Sequence, residues 1–167
     1  MDAMPVVNHL LWLGFKEKVD DLNSIKLQKM LYFVHGWYMA ITNEILIDEP
    51  FYKGQYGPVI PTVVEALKIY NGMPIDDYVS QWNEECSTIC PLFVNLKNLP
   101  QFESIVNQVW KQYYPLNSIQ LSSLASCPES PWEKTASSDI ISNELIKQYF
   151  INKSYENHSK NSTMKTI

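Results

Sequence analysis

One stretch constrains what this chain can fold into more than any other. From Ile25 to Ile41, the residues Leu27, Met30, Leu31, Val34, Tyr38 and Ile41 recur at steps of three and four, the period of an α-helix. Phe33 and Trp37 widen that stripe to most of the circumference. A helix that is apolar nearly all round needs neighbours on several sides, so it belongs in the middle of a fold. Gly36 in its interior costs about 1 kcal/mol of helix propensity relative to Ala. Close approach of another helix is the expected compensation. Gln28, Tyr32 and His35 stand at i, i+4 and i+7 and make one polar ridge along the rod.

The flanking sequence reads as elements that surround it. Asn8 is placed to cap a first helix over His9–Lys18, with Leu10, Leu11, Leu13, Phe15 and Val19 available to the core. Ser24 is the expected cap of the central helix. Residues 45–53 look extended, because Pro50 biases Glu49 away from helical dihedrals. Gly54 and Gly57-Pro58 then point to a short hairpin or an irregular edge. Pro61 suits a first helical turn, and Val63, Val64, Leu67 and Tyr70 space a helix that Gly72-Met73-Pro74 stops.

Residues 75–97 are ambiguous, with a short strand over Leu92–Leu96. Phe102, Ile105, Val106, Val109 and Tyr113 predict a helix over 102–113. Asn117 or Ser118 caps a short helix over Ile119–Ser126, and Pro131-Trp132 opens another turn. Ser142 caps a last helix, Asn143–Phe150, with Leu145, Ile146 and Tyr149 inward. From Asn152 the chain is polar and non-periodic, which predicts a disordered tail. The predicted fold is mainly α: one compact helical domain over residues 1–151 around a central buried helix, with a small β-hairpin as its one β element, and a polar tail over 152–167.

Composition narrows the function. A chain of 167 residues fits one domain, and a domain of that size buries roughly 70% of its unfolded surface without a disulfide or metal staple. Three Cys is an odd number, which argues against a secreted disulfide framework. No apolar run approaches the ~20 residues of a membrane span, and Met1-Asp2-Ala3-Met4-Pro5 lacks the basic start of a signal peptide. The expectation is a soluble cytoplasmic protein. The net charge is −5, and all thirteen basic residues are Lys. Without Arg for bidentate reading of guanine or forked phosphate contacts, nucleic acid is not an expected partner. The acid excess is local: Glu65, Asp76, Asp77, Glu84 and Glu85 stand against Lys68 between 62 and 90, while Lys153, Lys160 and Lys165 outnumber Glu156 beyond 152. Solvated surface is the ordinary reading of such runs. The sharper reading is that the acidic segment steers a basic protein partner.

The chain offers little chemistry. Cys86 and Cys90 sit in Cys-x3-Cys beside Glu84 and Glu85, but a structural zinc needs four ligands, and Cys127, His9, His35 and His158 are scattered. Two ordinary thiols are the better reading. There is no phosphate loop, since Gly54-x-x-Gly57 is too short and Pro58 has no amide to donate, and no Gly-x-Ser-x-Gly elbow. Asp20-Asp21 and Asp76-Asp77 are adjacent acids in turns rather than a facing pair. His35 is the one titratable group on the buried ridge, and its plain reading is a core histidine bonded to Tyr or backbone. An enzyme would need His35 in a pocket beside Cys86 or Cys127. No catalytic residue, cofactor or metal is expected.

Three stretches in order carry a family resemblance. The first is Ile25-Lys26-Leu27-Gln28-Lys29-Met30-Leu31-Tyr32, followed by His35-Gly36-Trp37. The second is Asp48-Glu49-Pro50-Phe51 and then Tyr56-Gly57-Pro58-Val59-Ile60-Pro61. The third runs from Leu121-Ser122 to Pro131-Trp132, with Ile141-Ser142 and Ile146-x-x-Tyr149-Phe150 beyond it. Together these resemble the Panacea-domain family, which contains SocA-like antitoxins and phage-associated GepA-like proteins. Where that family often carries Thr-His, this chain reads Ala125-Ser126, so no role of that His transfers.

The resemblance implies an antitoxin that neutralises a cognate toxin by direct protein contact. The alternatives are a protease adaptor or another interaction factor, phage-encoded or secreted, on the same fold. Of the motif residues, Leu27, Leu31 and Trp37 are expected in the core. Lys29, Tyr56, Gly57 and Pro58 are expected at a surface that meets the partner, and Trp132 suits either a core or an interface.

Overall fold

A computed structural model of the protein describes residues 1–85 and 87–163, with side chains as far as residue 156. Helices α1 (Ala3–Glu17) and α2 (Ser24–Thr42) open the chain. A hairpin of β1 (Phe51–Gly54) and β2 (Gly57–Val59) follows, then α3 (Pro61–Leu67). A second hairpin pairs β3 (Ser80–Asn83) with β4 (Thr88–Pro91). The remainder is α4 (Phe102–Tyr113), α5 (Ser118–Ala125), the single turn α6 (Pro131–Lys134), the two-residue strand β5 (Ile140–Ile141) and α7 (Asn143–Thr163).

α2 is the axis, as its periodicity requires. It packs against α1, α3, α4, α5, α7 and β2. Asn23, one residue before the expected Ser24, caps it by accepting from the Lys26 amide at 3.0 Å. Asn43 closes it in the left-handed conformation, with φ at 63°. Gly36 does mark a close approach, and the intruder is an aromatic ring. A Cβ built on Gly36 would lie 2.1 Å from Cε2 of Phe150. That ring, carried by α7, meets Tyr32, Phe33 and Trp37 edge-on at centroid distances of 5.6, 6.2 and 5.2 Å. Phe33 in turn stacks flat on Tyr113 of α4 at 4.2 Å. One aromatic cluster thus joins α2, α4 and α7. At the other end of α2, the buried Lys26 ammonium reaches Asp21 at 2.6 Å and the Tyr114 carbonyl at 2.7 Å.

Several sequence expectations give way here. α1 starts at Ala3, and Asn8 is a buried residue inside it rather than its cap. Its amide group donates to the carbonyls of Val79 and Leu92, both at 2.9 Å, and its oxygen accepts from the Val79 amide at 2.8 Å. These three hydrogen bonds satisfy the buried side chain, which is why it does not cap. Residues 92–95 form no strand. The strands lie at 80–83 and 88–91, where alternation is too short to register. β5 has two residues and no local signature. It exists because β1 offers a free edge, and the sheet order is β2-β1-β5, all antiparallel. Leu145 lies outward at 41% exposure while Ile146 and Phe150 fill the core. Ile41, on the expected apolar stripe, is also exposed.

The last helix does not end at the expected Phe150 either. α7 continues to Thr163, through a stretch free of Gly and Pro. Gln148 bonds Asn152 at 3.0 Å and Lys153 meets Glu156 at 3.3 Å, the one-turn pairs that support an exposed helix. Residues 164–167 of the expected tail lie outside the described residues.

The polar ridge of α2 splits into three fates. Gln28 grips Ile60, the residue after β2, as shown below. The Tyr32 hydroxyl is fully buried and has no hydrogen-bond partner among the described residues. His35 is fully buried; its Nδ1 accepts from the Ile47 amide at 3.2 Å, and Nε2 stands 3.1 Å from Asn143 Oδ1. The amide donor fixes the neutral tautomer, with the proton on Nε2 pointing to Asn143. Burial pushes the His35 pKa down to about 4. The unfolded chain therefore takes up a proton near pH 6.5 that the folded chain refuses until about pH 4. The associated stability is complete above pH 6.5 and is lost as pH falls to 4, by about 3 kcal/mol. Urea unfolding across that window should show wild type losing about 3 kcal/mol more than His35→Gln, in which every carboxylate is kept. Parallel curves would contradict this role.

Candidate protein-binding surface

The β1–β2 hairpin is fixed to α2 by motif residues. Gln28 holds both backbone groups of Ile60: its amide donates to the carbonyl at 3.2 Å and its oxygen accepts from the N–H at 3.0 Å. Lys29, the next residue, runs beneath the turn. Its Nζ donates to the Pro58 carbonyl at 3.0 Å. A Cβ on Gly57 would sit 2.9 Å from Lys29 Cε, and Gly57 has φ +109°, so the position excludes other residues twice over. On the far side, Trp132 of α6 donates from Nε1 to the Gly54 carbonyl at 2.8 Å. Lys53 lies over the Trp132 ring at 4.5 Å and donates to the Thr135 carbonyl at 2.6 Å.

Lys29, Gly57 and Pro58 are therefore buried, contrary to the surface expected for them. The physical reason is the carbonyl of Pro58. It gives the ammonium a partner inside the fold, so the long stem can pack under the turn and the charge need not reach water. Among the described residues no carboxylate pairs with this ammonium, and burial lowers its pKa to about 8. Trp132 is half-buried and acts as the outer brace. Of the expected partner-binding residues, Tyr56 alone stands well out, at 61% exposure on the tip of the hairpin.

What the lock presents is an apolar surface. On one side of Tyr56 a shallow cleft of about 460 Å³ is bounded by Ile25, Gln55, Ile119, Ser122 and Ser126. On the other, a cleft of about 310 Å³ is bounded by Ile25, Val59, Val64 and Lys68. Ile119 is 78% exposed, Val64 46% and Ile25 38%. These neighbours of Tyr56 were not found from sequence, because a periodic apolar residue is counted as core by default. The trace that was there is phase. In α5 the buried residues are Leu121 and Ala125, and Ile119 is out of step with them.

The chemistry-bearing residues do not converge. His35 is sealed in the interior. Cys127 Sγ lies 3.3 Å from the Tyr149 hydroxyl, whose pKa burial raises. Cys86 lies outside the described residues. Among the described residues no group of His, Cys, Asp and Glu could hold a metal ion, and no helix is long and apolar enough to cross a membrane.

The protein is thus a helical domain whose central helix clamps a short hairpin and holds Tyr56 out between two apolar clefts. Residues 27–133 match the family Antitoxin SocA-like, Panacea domain, and the chain belongs to that family. The match spans the whole lock, from Gln28 and Lys29 through Tyr56-Gly57-Pro58 to Trp132, while α1 and α7 lie outside it. No curated protein and no solved structure matches the chain. At the place of the family's Thr-His, Ala125 is buried and Ser126 closes α5, its hydroxyl donating to the Ser122 carbonyl at 2.8 Å.

Proposed function

We propose that this chain is an antitoxin that neutralises a cognate toxin by direct protein contact, at the surface around Tyr56, and that it catalyses no reaction. Family membership supports an antitoxin-like role. The observation that carries the site is the division of labour among the motif residues. Gln28, Lys29, Pro58 and Trp132 use their polar groups to hold one hairpin, Gly57 lets Lys29 pass beneath it, and the residue they hold out is an aromatic between two apolar clefts. Tyrosine gives large contact area with few rotatable bonds, which is why it is enriched at interface hot spots. Contiguous exposed apolar ground of this kind marks an interaction site.

Co-expression with the product of the adjacent reading frame tests the reading. That product alone should stop growth, and this chain should restore it and co-purify with it. Ile119→Asp places a charge in the cleft without touching the core, so it should weaken the complex about tenfold or more while the protein melts normally. Rescue by a chain that makes no complex would contradict direct neutralisation.

A further inference from the structure

We infer that the second hairpin, with its flanks over residues 76–93, is a docking element for a basic polypeptide surface. The inference rests on the reading that the partner is a protein and adds the chemistry of the surface it offers. Trp82 and Ile89 are direct cross-strand partners, so their side chains share one face. That face looks outward: Trp82 is 60% exposed and Ile89 68%. On the opposite face Gln81, Asn83 and Cys90 are half-buried and Thr88, beside the turn, is exposed. An antiparallel hairpin on a protein surface ordinarily turns its apolar face to the core and its polar face to water. Here the order is reversed, in a two-stranded unit that has little stability of its own to spare.

The hairpin persists because it is held from below. Asn8 of α1 grips the backbone just outside each strand, at Val79 and at Leu92. Tyr78 and Phe93 meet edge-on across its base at 5.1 Å, and Tyr78 meets Phe15 of α1 at the same distance. On that fixed base, Trp82, Glu84, Glu85, Thr88 and Ile89 are all exposed to solvent.

Charge states what covers it. Glu84 and Glu85 follow Trp82 at the exposed turn, and Asp76 and Asp77 are exposed at the foot. Between Lys68 and Lys97 there is no basic residue at all. An apolar pair flanked by these four exposed acids complements a polypeptide surface with an apolar recess bordered by Lys or Arg, and repels an acidic one. Trp82 fills the recess, and the two glutamates meet the basic rim.

The test uses the full chain labelled with fluorotryptophan, which has five tryptophans, and assigns the Trp82 fluorine signal through Trp82→Phe. The probes are a short amphipathic peptide of Lys and Leu and its counterpart of Glu and Leu. The Lys peptide should move the Trp82 signal and leave those of Trp37, Trp110 and Trp132 in place. The Glu peptide should move none. The double variant Glu84→Gln, Glu85→Gln should bind the Lys peptide about tenfold more weakly, and salt should weaken it further. A Trp82 signal that stays still, or that responds equally to both peptides, would overturn the inference. No toxin enters this experiment. A negative result removes the hairpin's role and leaves the antitoxin reading standing, whereas failure of growth rescue does the reverse.

Discussion

Phe150→Ala is expected to cost this protein about 3–5 kcal/mol, the usual price of removing a buried Phe. The ring is 1% exposed and stands at the meeting of α2, α4 and α7. For a domain of this size the melting temperature should fall by about 10 °C. The more telling result comes from combining it with Gly36→Ala. In wild type a Cβ at Gly36 would clash with the edge of the Phe150 ring, and that ring has Tyr32, Phe33 and Trp37 around it, so it cannot swing away cheaply. Gly36→Ala alone should destabilise by about 1–3 kcal/mol through overpacking. Once Phe150 is truncated the clash is gone, and what remains is the helix propensity of Ala, a gain of about 1 kcal/mol. The sign of the Gly36 effect should therefore reverse between the two backgrounds. Additive effects would show that Gly36 serves something other than this ring.

The second large effect is at Lys29. Lys29→Glu sets a carboxylate against the Pro58 carbonyl in a site with 1% exposure. An uncompensated buried charge of that kind costs about 3–5 kcal/mol, enough to leave little folded protein. Neutralisation and stability should be lost together, which is the behaviour of a scaffold residue. Lys29→Met keeps the stem under Gly57 and removes the charge, so it should fold. It also isolates the titration. With the folded pKa near 8 and the unfolded value at 10.5, both states are charged below pH 8 and the fold bears the burial cost. Between pH 8 and 10.5 the folded chain has released the proton and the unfolded chain still holds it, so wild-type stability rises. Relative to Lys29→Met, wild type should gain about 3 kcal/mol across that window. A flat difference would mean that Lys29 is not carrying a buried charge.

Much of the fold could be read because α2 and α4 obey the helical period without interruption. Leu27, Met30, Leu31 and Val34 are buried as the pattern requires, and α4 runs over Phe102–Tyr113 as predicted. Pro61 opens α3 and Asn117 makes a full capping box with Gln120, both local effects that sequence carries directly. Where reading failed, a distant partner decided. Asn8 looks like a cap until the 79–92 segment comes to it. Lys29 looks like surface until the carbonyl of Pro58 meets it. β5 depends on an edge of β1, and the outward Ile25, Val64 and Ile119 depend on which faces the neighbours leave open. The family motif was legible as a set of residues. That Gln28, Lys29, Gly57, Pro58 and Trp132 clamp a hairpin, and that Tyr56 is what the clamp holds out, became visible only in three dimensions.

The central claim is that buried motif residues build a platform and Tyr56 makes the contact. Tyr56→Ala tests it most directly, through melting temperature and rescue of growth measured side by side against the product of the adjacent reading frame. The account predicts a melting temperature within about 2 °C of wild type, as for an exposed side chain, together with loss of rescue and of the co-purified complex. Full rescue by Tyr56→Ala, or a fall in melting temperature large enough to explain the loss by itself, would contradict it.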